Sequence, residues 1–302
     1  SNGILLYAAA GAQVGAAGPY GGNQIADHDN AGAWILASTG SVVQGNLIGT
    51  AADGLQNLGN AGPGLIISGV SNSVIANRIA WSKNSGADGV VIGLGSSFTP
   101  VLGNVIFSNG TFGALPVDLE DDGPTANDPA PDADVGANLR QNYPVLTTAV
   151  QQAGTLLAGY LPSSNSTTYT VQFFASGVPQ GGVFLGSTNI TTSANGTGLF
   201  TVALAYLLPT SALLHASATD PQGRSSEYSP GVTNRAGADV DGDGLPDNWE
   251  QQHFGTLTNE AAGNVDSDAY DNLAEYIADT QPTNAVSFFE LYGIARADDA
   301  TG

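Results

Sequence analysis

Short apolar runs separated by Gly, Asn and Ser dominate residues 1–115, and they recur in groups of three. An Asn-x-Ile theme marks each group, a Gly-led apolar run follows it, and a third apolar pair precedes the next Asn. Three short strands repeated in this way are typical of a parallel β-solenoid, in which each coil pairs with the next. The marker asparagines are 23, 31 and 27 residues apart and are Asn23, Asn46, Asn77 and Asn104.

The repeated asparagine suits the corner of a coil. Its backbone tolerates a left-handed φ, and stacked side-chain amides can hydrogen-bond from one coil to the next. We therefore predict a structural role for these asparagines rather than a catalytic one.

A different pattern begins at residue 143. Alternating runs rich in Thr, Val, Phe and Tyr follow one another at about ten to fifteen residues, which predicts a small antiparallel β-sandwich. Tyr169, Phe173 and Phe200 are predicted to lie in its core.

Acidic residues divide the rest of the chain. Of the 27 Asp and Glu residues, 7 lie between Asp118 and Asp134 and 14 between Asp239 and Asp299. These shifts in composition predict four parts: a β-helix with an acidic, Pro-rich connector (1–142, the connector being 116–142), a sandwich (143–234), an Asp-rich module (235–283) and a C-terminal strand or tail (284–302).

Composition excludes several classes of function. A net charge of −21 with 6 Lys and Arg among 302 residues argues against nucleic acid or an anionic membrane as partner, because both need clustered cations. The chain has no Cys, so disulfides, Cys-ligated zinc and thiol nucleophiles are excluded. Any cross-link that stabilises the fold would then come from a hard cation bound by oxygen ligands. No apolar run has the length of a membrane span. The chain has no Met either, and we expect it to be a processed or trimmed product.

The strongest motif is the segment DVDGDGLPDNWE, residues 239–250. It places oxygen ligands at positions 1, 3, 5, 7, 9 and 12 and Gly at position 6, as the EF-hand calcium loop does. The Gly permits the sharp turn, and the Glu closes the ligand shell from the first helical turn. The predicted Ca²⁺ ligands are Asp239, Asp241, Asp243, the Leu245 carbonyl, Asp247 and Glu250.

A second segment, NVDSDAYDNLAE, repeats the pattern in weaker form at residues 264–275. Ala269 takes the place of the Gly and Asn264 that of the first carboxylate, so weaker Ca²⁺ binding is predicted, because Ala strains a left-handed position. Each loop is predicted to lead into a short amphipathic helix. The ligands of this second loop are Asn264, Asp266, Asp268, the Tyr270 carbonyl, Asn272 and Glu275.

These patterns resemble known families. Residues 1 to about 140 resemble the right-handed parallel β-helix repeats of bacterial surface and secreted proteins. The ending ATDPQGRSSEYSP resembles the last hairpin of the Ig-like modules that often follow such β-helices. The paired acidic loops resemble the calcium loops of dockerins and thrombospondin type 3 repeats, which implies a location outside the cell, because cytosolic calcium is low.

We therefore expect an extracellular or cell-surface, calcium-stabilised structural protein without enzymatic activity, serving as a filament subunit or an adhesin. Two alternatives stay open: a polysaccharide lyase or hydrolase on the β-helix, and a carbohydrate-binding module on the sandwich, with surface glycans as partners. For an enzyme, the solenoid has none of the motifs of the pectin hydrolases and offers only the carboxylates Asp27, Asp29, Asp53 and Asp88.

Most acidic residues outside the two loops are predicted to have structural roles. Asp220 and Glu227 are predicted to be turn and surface residues. The connector acids form either a further calcium site or a solvated flexible loop, and they are Asp118, Glu120, Asp121, Asp122, Asp128, Asp132 and Asp134.

The tail is predicted to serve self-association. Residues 286–296 are predicted to form one apolar strand, and a lone strand is not stable in water. It either folds back on its own sandwich or adds to a sheet edge of a neighbouring subunit, unless it is the stump of a domain lost by trimming. The second option gives head-to-tail contacts that do not close, and hence a homopolymeric fibre.

Overall fold

The computed structural model describes residues 1–18, 21–151, 154–178, 182–239, 241, 243–278 and 280–287. It contains a parallel β-helix of about four coils, followed by two antiparallel sheets and two short helices. The predicted mainly β architecture with a parallel β-helix is therefore confirmed.

Short strands build the β-helix, and each coil contributes one strand to each of three parallel sheets. The strands are β1 (Ile4–Tyr7), β2 (Gln13–Gly15), β3 (Gln24–Ile25), β4 (Ala33–Thr39), β5 (Val42–Gln44), β6 (Leu47–Ile48), β7 (Leu65–Val70), β8 (Ser73–Ile75), β9 (Arg78–Ala80), β10 (Val90–Ile92), β11 (Val101–Leu102), β12 (Val105–Phe107) and β13 (Val117–Leu119). The sheets have the strand orders β1-β4-β7-β10-β13, β11-β8-β5-β2 and β12-β9-β6-β3.

Each sheet carries a column of apolar side chains into the core of the β-helix. The strand registers place equivalent residues of successive coils directly over one another. All members of the columns are buried. Burying each large apolar side chain stabilises the fold by about 1.5–3 kcal/mol. The columns are Ile35, Ile67, Ile92 and Leu119; Val14, Val43, Val74 and Val101; and Ile25, Ile48, Ile79 and Ile106.

The marker asparagines form a ladder of side-chain amides along one corner, as predicted. The Nδ2 of Asn23 donates to Oδ1 of Asn46 at 3.1 Å, and Asn46 repeats this contact to Asn77 at 2.9 Å. Asn77 in turn donates to Asn104 at 3.0 Å. From Asn46 onward these amides are buried, so the ladder supplies hydrogen bonds that water cannot reach.

The left-handed residue at this corner precedes the asparagine, which corrects the prediction that the asparagine itself adopts this conformation. The φ angle is 67° at Gly45, 52° at Ala76 and 63° at Gly103. The chain turns there because the asparagine must direct its amide at the backbone of the previous coil. Asn77 does so by donating to the carbonyl oxygen of Val43 at 2.9 Å.

Two antiparallel sheets follow the β-helix. Their strands are β14 (Val145–Gln151), β15 (Thr155–Pro162), β16 (Thr168–Ser176), β17 (Gly182–Thr191), β18 (Thr197–Leu204), β19 (Leu213–Thr219) and β20 (Val232–Thr233). The strand orders are β14-β15-β18 and β17-β16-β19-β20, and residues of both sheets share one apolar core. Tyr169, Phe173 and Phe200 are buried in this core, as predicted.

The sandwich hydrogen-bonds to the last coil of the β-helix. The N–H of Val101 donates to Oγ of Ser225 at 2.9 Å, and the N–H of Gly103 donates to Oε1 of Gln172 at 3.2 Å. The N–H of Leu119 donates to Oε1 of Glu227 at 3.1 Å. The prediction that Glu227 lies on the surface is therefore wrong: the residue is 3% exposed, because its carboxylate accepts from an edge strand of the β-helix.

Helical structure is confined to short segments. A left-handed turn, Ala137–Arg140, lies in the connector, and the helices α1 (Asp247–His253) and α2 (Asn272–Ala278) lie in the Asp-rich module. Among the described residues no helix is long and apolar enough to cross a membrane. Residues 288–302, with most of the predicted tail strand, lie outside the described residues.

The asparagine ladder gives a test of the coil-to-coil contacts. Replacing Asn77 with Ala removes the side-chain acceptor of the buried Asn46 N–H and two further buried hydrogen bonds, so the free energy of unfolding should fall by about 3 kcal/mol. The matched change Asn23→Ala, at the exposed end of the ladder, should cost about 1 kcal/mol or less. Urea unfolding followed by circular dichroism measures both, and equal losses would show that the ladder has no buried contribution.

Candidate metal centres

The two helices of residues 235–283 pack around a small apolar core that fixes both acidic loops. Trp249 of α1 contacts Tyr276 of α2 with ring centroids 5.4 Å apart. Leu245 is fully buried beside them, and Leu207 reaches into this core from the sandwich. Each loop precedes its helix directly, as the sequence predicts, so the closing Glu of each loop lies on a helix held by this core.

In the first loop, three predicted ligands lie together. Carboxylate oxygens of Asp239, Asp241 and Asp243 lie within 4.8 Å of one another. Backbone N–H groups orient two of them, since Gly244 donates to Oδ2 of Asp239 at 3.1 Å and Leu245 donates to Oδ1 of Asp243 at 2.8 Å. The other oxygen of Asp243 is buried and accepts no hydrogen bond within the described chain.

Glu250, the closing residue of this loop, is fully buried, and neither of its carboxylate oxygens has a hydrogen-bond partner in the described chain. Burial raises its pKa to about 7, and the charges of Asp241 and Asp243 contribute to that shift. A buried carboxylate with no donor is costly unless a cation compensates it. Its surroundings therefore fit a positive ion beside it.

The second loop repeats this arrangement. Carboxylate oxygens of Asp266, Asp268 and Glu275 lie within 4.8 Å of one another. Each of these three residues has one buried oxygen without a hydrogen-bond partner among the described residues. Burial raises the pKa of Glu275, as do the charges of Asp266 and Asp268.

The two asparagines predicted as ligands of the second loop use their side chains differently. The Oδ1 of Asn272 is buried without a partner, while its Nδ2 donates to the carbonyl oxygen of Glu260 at 2.9 Å. Asn264 instead uses its side chain within the loop, where Oδ1 accepts from the N–H of Ser267 at 2.7 Å and Nδ2 donates to the carbonyl oxygen of Asp268.

That turn changes the expected role of Ala269. The left-handed residue of the second loop is Ser267, with φ of 64°, and Ala269 has no positive φ. The prediction that Ala269 strains a left-handed position is wrong. The side chain of Asn264 accepts the N–H of Ser267 and places the left-handed turn at Ser267, two residues before Ala269. In the first loop the Gly is in the expected conformation, with φ of 101° at Gly244.

The remaining predicted ligands are Asp247 and the carbonyl oxygens of Leu245 and Tyr270. Asp247 is the first residue of α1, and its N–H donates to the carbonyl oxygen of Ala238 at 2.7 Å. Leu245 and Tyr270 were predicted to coordinate through their carbonyl oxygens, and this stays a prediction. Taken together, the two loops offer carboxylate and amide oxygens, which suit a hard divalent cation.

The connector acids are held by hydrogen bonds within the protein. Arg140 forms ion pairs with Glu120 and, at 3.0 Å, with Asp122. Asp128 and Asn142 exchange two hydrogen bonds of 3.0 Å. Among the described residues, the grouped metal ligands all belong to the two loops, and a further calcium site in the connector stays a prediction.

Sequence reasoning missed a group of buried carboxylates at the end of the β-helix. Asp88, Asp118 and Glu227 are each at most 3% exposed, and backbone N–H groups donate to all three. Burial raises the pKa of Asp88 and Glu227 to about 7. No local pattern signals this group, because Glu227 lies 108 residues from the N–H of Leu119 that it accepts.

The other solenoid carboxylates proposed for an enzyme have structural partners. Asp27 pairs with Lys83 at 2.8 Å, and Asp29 pairs with the terminal amine of Ser1 at 3.2 Å. Asp53 accepts the N–H groups of Leu55 and Gln56, which stabilises the turn it begins.

Comparison with known proteins gives no relative on which to base a function. No family model matches the chain, and no curated protein is similar to it. The function is therefore argued from the geometry of the two loops.

The turn residues of the two loops provide a first test. Gly244→Val should weaken divalent-cation binding at the first loop by about tenfold or more, because a β-branched residue is strained at φ of 101° even though no atom lies within 4 Å of the new Cβ. Ala269→Val should leave the second loop nearly unchanged, since its backbone is not left-handed. Calorimetric titration with calcium compares the two variants, and equal losses would contradict this assignment of the turns.

Asp88 predicts a pH dependence of stability. Below about pH 4 it is protonated in both states. As the pH rises to about 7, the unfolded chain loses the proton while the folded chain keeps it, so the free energy of unfolding should fall by a few kcal/mol.

Asp88→Asn keeps the oxygen that accepts from Leu115 and removes this titration. Urea unfolding at several pH values in chelator should show a flatter pH dependence for the variant than for the parent. Parallel curves would show that Asp88 is ionised in the folded protein.

Proposed function

We propose that residues 235–283 are a calcium-binding module, with one Ca²⁺ in each loop. The observation that carries this proposal concerns the described part of residues 235–283, where every buried side-chain oxygen without a hydrogen-bond partner lies at a predicted ligand position. These oxygens belong to Asp243, Glu250, Asp266, Asp268, Asn272 and Glu275.

Calcium fits these residues better than other common cations. Zinc and other soft metals prefer Cys and His ligands, and the predicted ligand set contains neither. Magnesium demands a near-ideal octahedron and usually keeps several waters, whereas a loop with about six oxygen ligands and a closing Glu satisfies the larger ion. Both loops have ligand spacing that matches the calcium loop, including the Glu at position 12.

The ion would supply much of the folding energy of this module. Its apolar core is small, and the carboxylates of each loop repel one another without a cation. At a calcium concentration a thousandfold above Kd, binding stabilises a folded site by about 4 kcal/mol. Such dependence on calcium suits an extracellular or cell-surface setting, where the ion is abundant.

We infer further that the chain is a structural protein of the cell surface, as a filament subunit or an adhesin. The parallel β-helix is a stiff support, and the two sheets after it form an Ig-like sandwich of the kind used for attachment. Head-to-tail self-assembly through residues 286–296 remains part of this proposal, and positions 288–302 lie outside the described residues.

Calcium removal tests the proposal. In chelator, the full-length chain should become sensitive to proteolysis between Ala236 and Thr283, while circular dichroism of the β-helix and sandwich stays unchanged, because only the module depends on the ion. Glu250→Gln should produce the same sensitivity in the presence of calcium. Glu260→Gln, an exposed Glu outside both loops, is the matched control and should behave as the parent. A proteolysis pattern unaffected by chelator would refute the calcium assignment.

A further inference from the structure

A separate cavity of about 260 Å³ lies where the connector meets the sandwich. Polar side chains from both parts line it, so neither part forms the cavity alone. The polar side chains in its wall include Asp132, Asp134, Gln141, Thr167, Gln222 and Arg224.

Two carboxylates of this cavity, Asp132 and Asp220, are held in place by hydrogen bonds within the protein. The Oδ2 of Asp132 accepts from the N–H of Asn142 at 2.9 Å and from Oγ of Ser163 at 3.1 Å. Asp220, which also lines the cavity, pairs with Arg224 at 2.8 Å and accepts its backbone N–H. The walls therefore offer fixed donors and acceptors side by side.

An apolar side chain stands beside these polar groups. Leu139 lines the cavity and is 42% exposed, with φ of 54° in the left-handed turn. The turn is held by Asn138, which is fully buried and donates to the carbonyl oxygens of Thr99 and Ser225. The position of Leu139 is thus fixed by the β-helix and the sandwich together.

From this arrangement we propose that the cavity binds one neutral saccharide unit of a glycan. Adjacent donors and acceptors match vicinal hydroxyl groups, and Leu139 matches the apolar C–H face of a sugar ring. The volume is below the roughly 300 Å³ at which pockets for drug-sized ligands begin, which fits a single sugar.

The charges disfavour other ligands of similar size. Three Asp residues face one Arg, which opposes an anionic sugar such as a uronate. Arg224 occupies Asp220, and the N–H of Asn142 and Oγ of Ser163 occupy Oδ2 of Asp132, which leaves fewer free oxygens than the six to eight that a bare hard cation needs.

Saturation-transfer NMR on the full-length chain tests this proposal. The probes are the methyl glycosides of glucose, galactose, mannose and N-acetylglucosamine, with glucuronate and lysine amide as charged competitors. At least one neutral glycoside should bind. Asp134→Ala and Gln222→Ala should each weaken its binding by about tenfold, through loss of one polar contact. Asp29→Ala, an exposed acid on the β-helix, is the matched control and should leave binding unchanged.

The same titrations in chelator separate this cavity from the metal module, because sugar binding should persist when calcium is removed. Failure of all four neutral glycosides to bind would overturn the proposal. So would preferential binding of glucuronate or lysine amide, or neutral-sugar binding that both cavity variants leave intact.

Discussion

Hydrogen bonding between successive coils is the constraint on which the rest of this structure depends. A parallel strand satisfies its backbone only if a neighbour lies on each side, and a coil satisfies its corners only if the next coil repeats them. The apolar columns and the asparagine ladder follow from that repetition. The same constraint explains the junction with the sandwich, where Ser225, Gln172 and Glu227 accept N–H groups that have no further coil to pair with.

Repetition also explains which features could be predicted from the sequence. The three-strand period and the asparagine ladder are visible because equivalent positions recur at similar spacing. The two acidic loops are visible because their predicted Ca²⁺ ligands lie within twelve residues of one another. In both cases the information is local or periodic. The structure brings together the asparagines of the ladder and two groups of loop acids, which are Asp239, Asp241 and Asp243, and Asp266, Asp268 and Glu275.

Features that depend on distant parts of the chain could not be predicted in this way. The burial of Glu227 depends on a strand more than a hundred residues earlier. The cavity at Asp132 exists only where the connector crosses the sandwich. The prediction for the turn of the second loop fails for a local reason. The side chain of Asn264 can bind a cation or accept the N–H of Ser267, and the ligand pattern alone does not distinguish these two roles.

Leu207 joins the Asp-rich module, residues 235–283, to the sandwich. It belongs to the sandwich but packs among Trp249, Tyr276 and Leu245, so the module shares its apolar core with the domain before it. A module joined only by a flexible linker would swing freely whether or not it was folded. Under the proposed ion binding, folding of the loops would also tighten this joint, so the stiffness with which the C-terminal end transmits a pulling force would follow the divalent-ion content of the surrounding fluid.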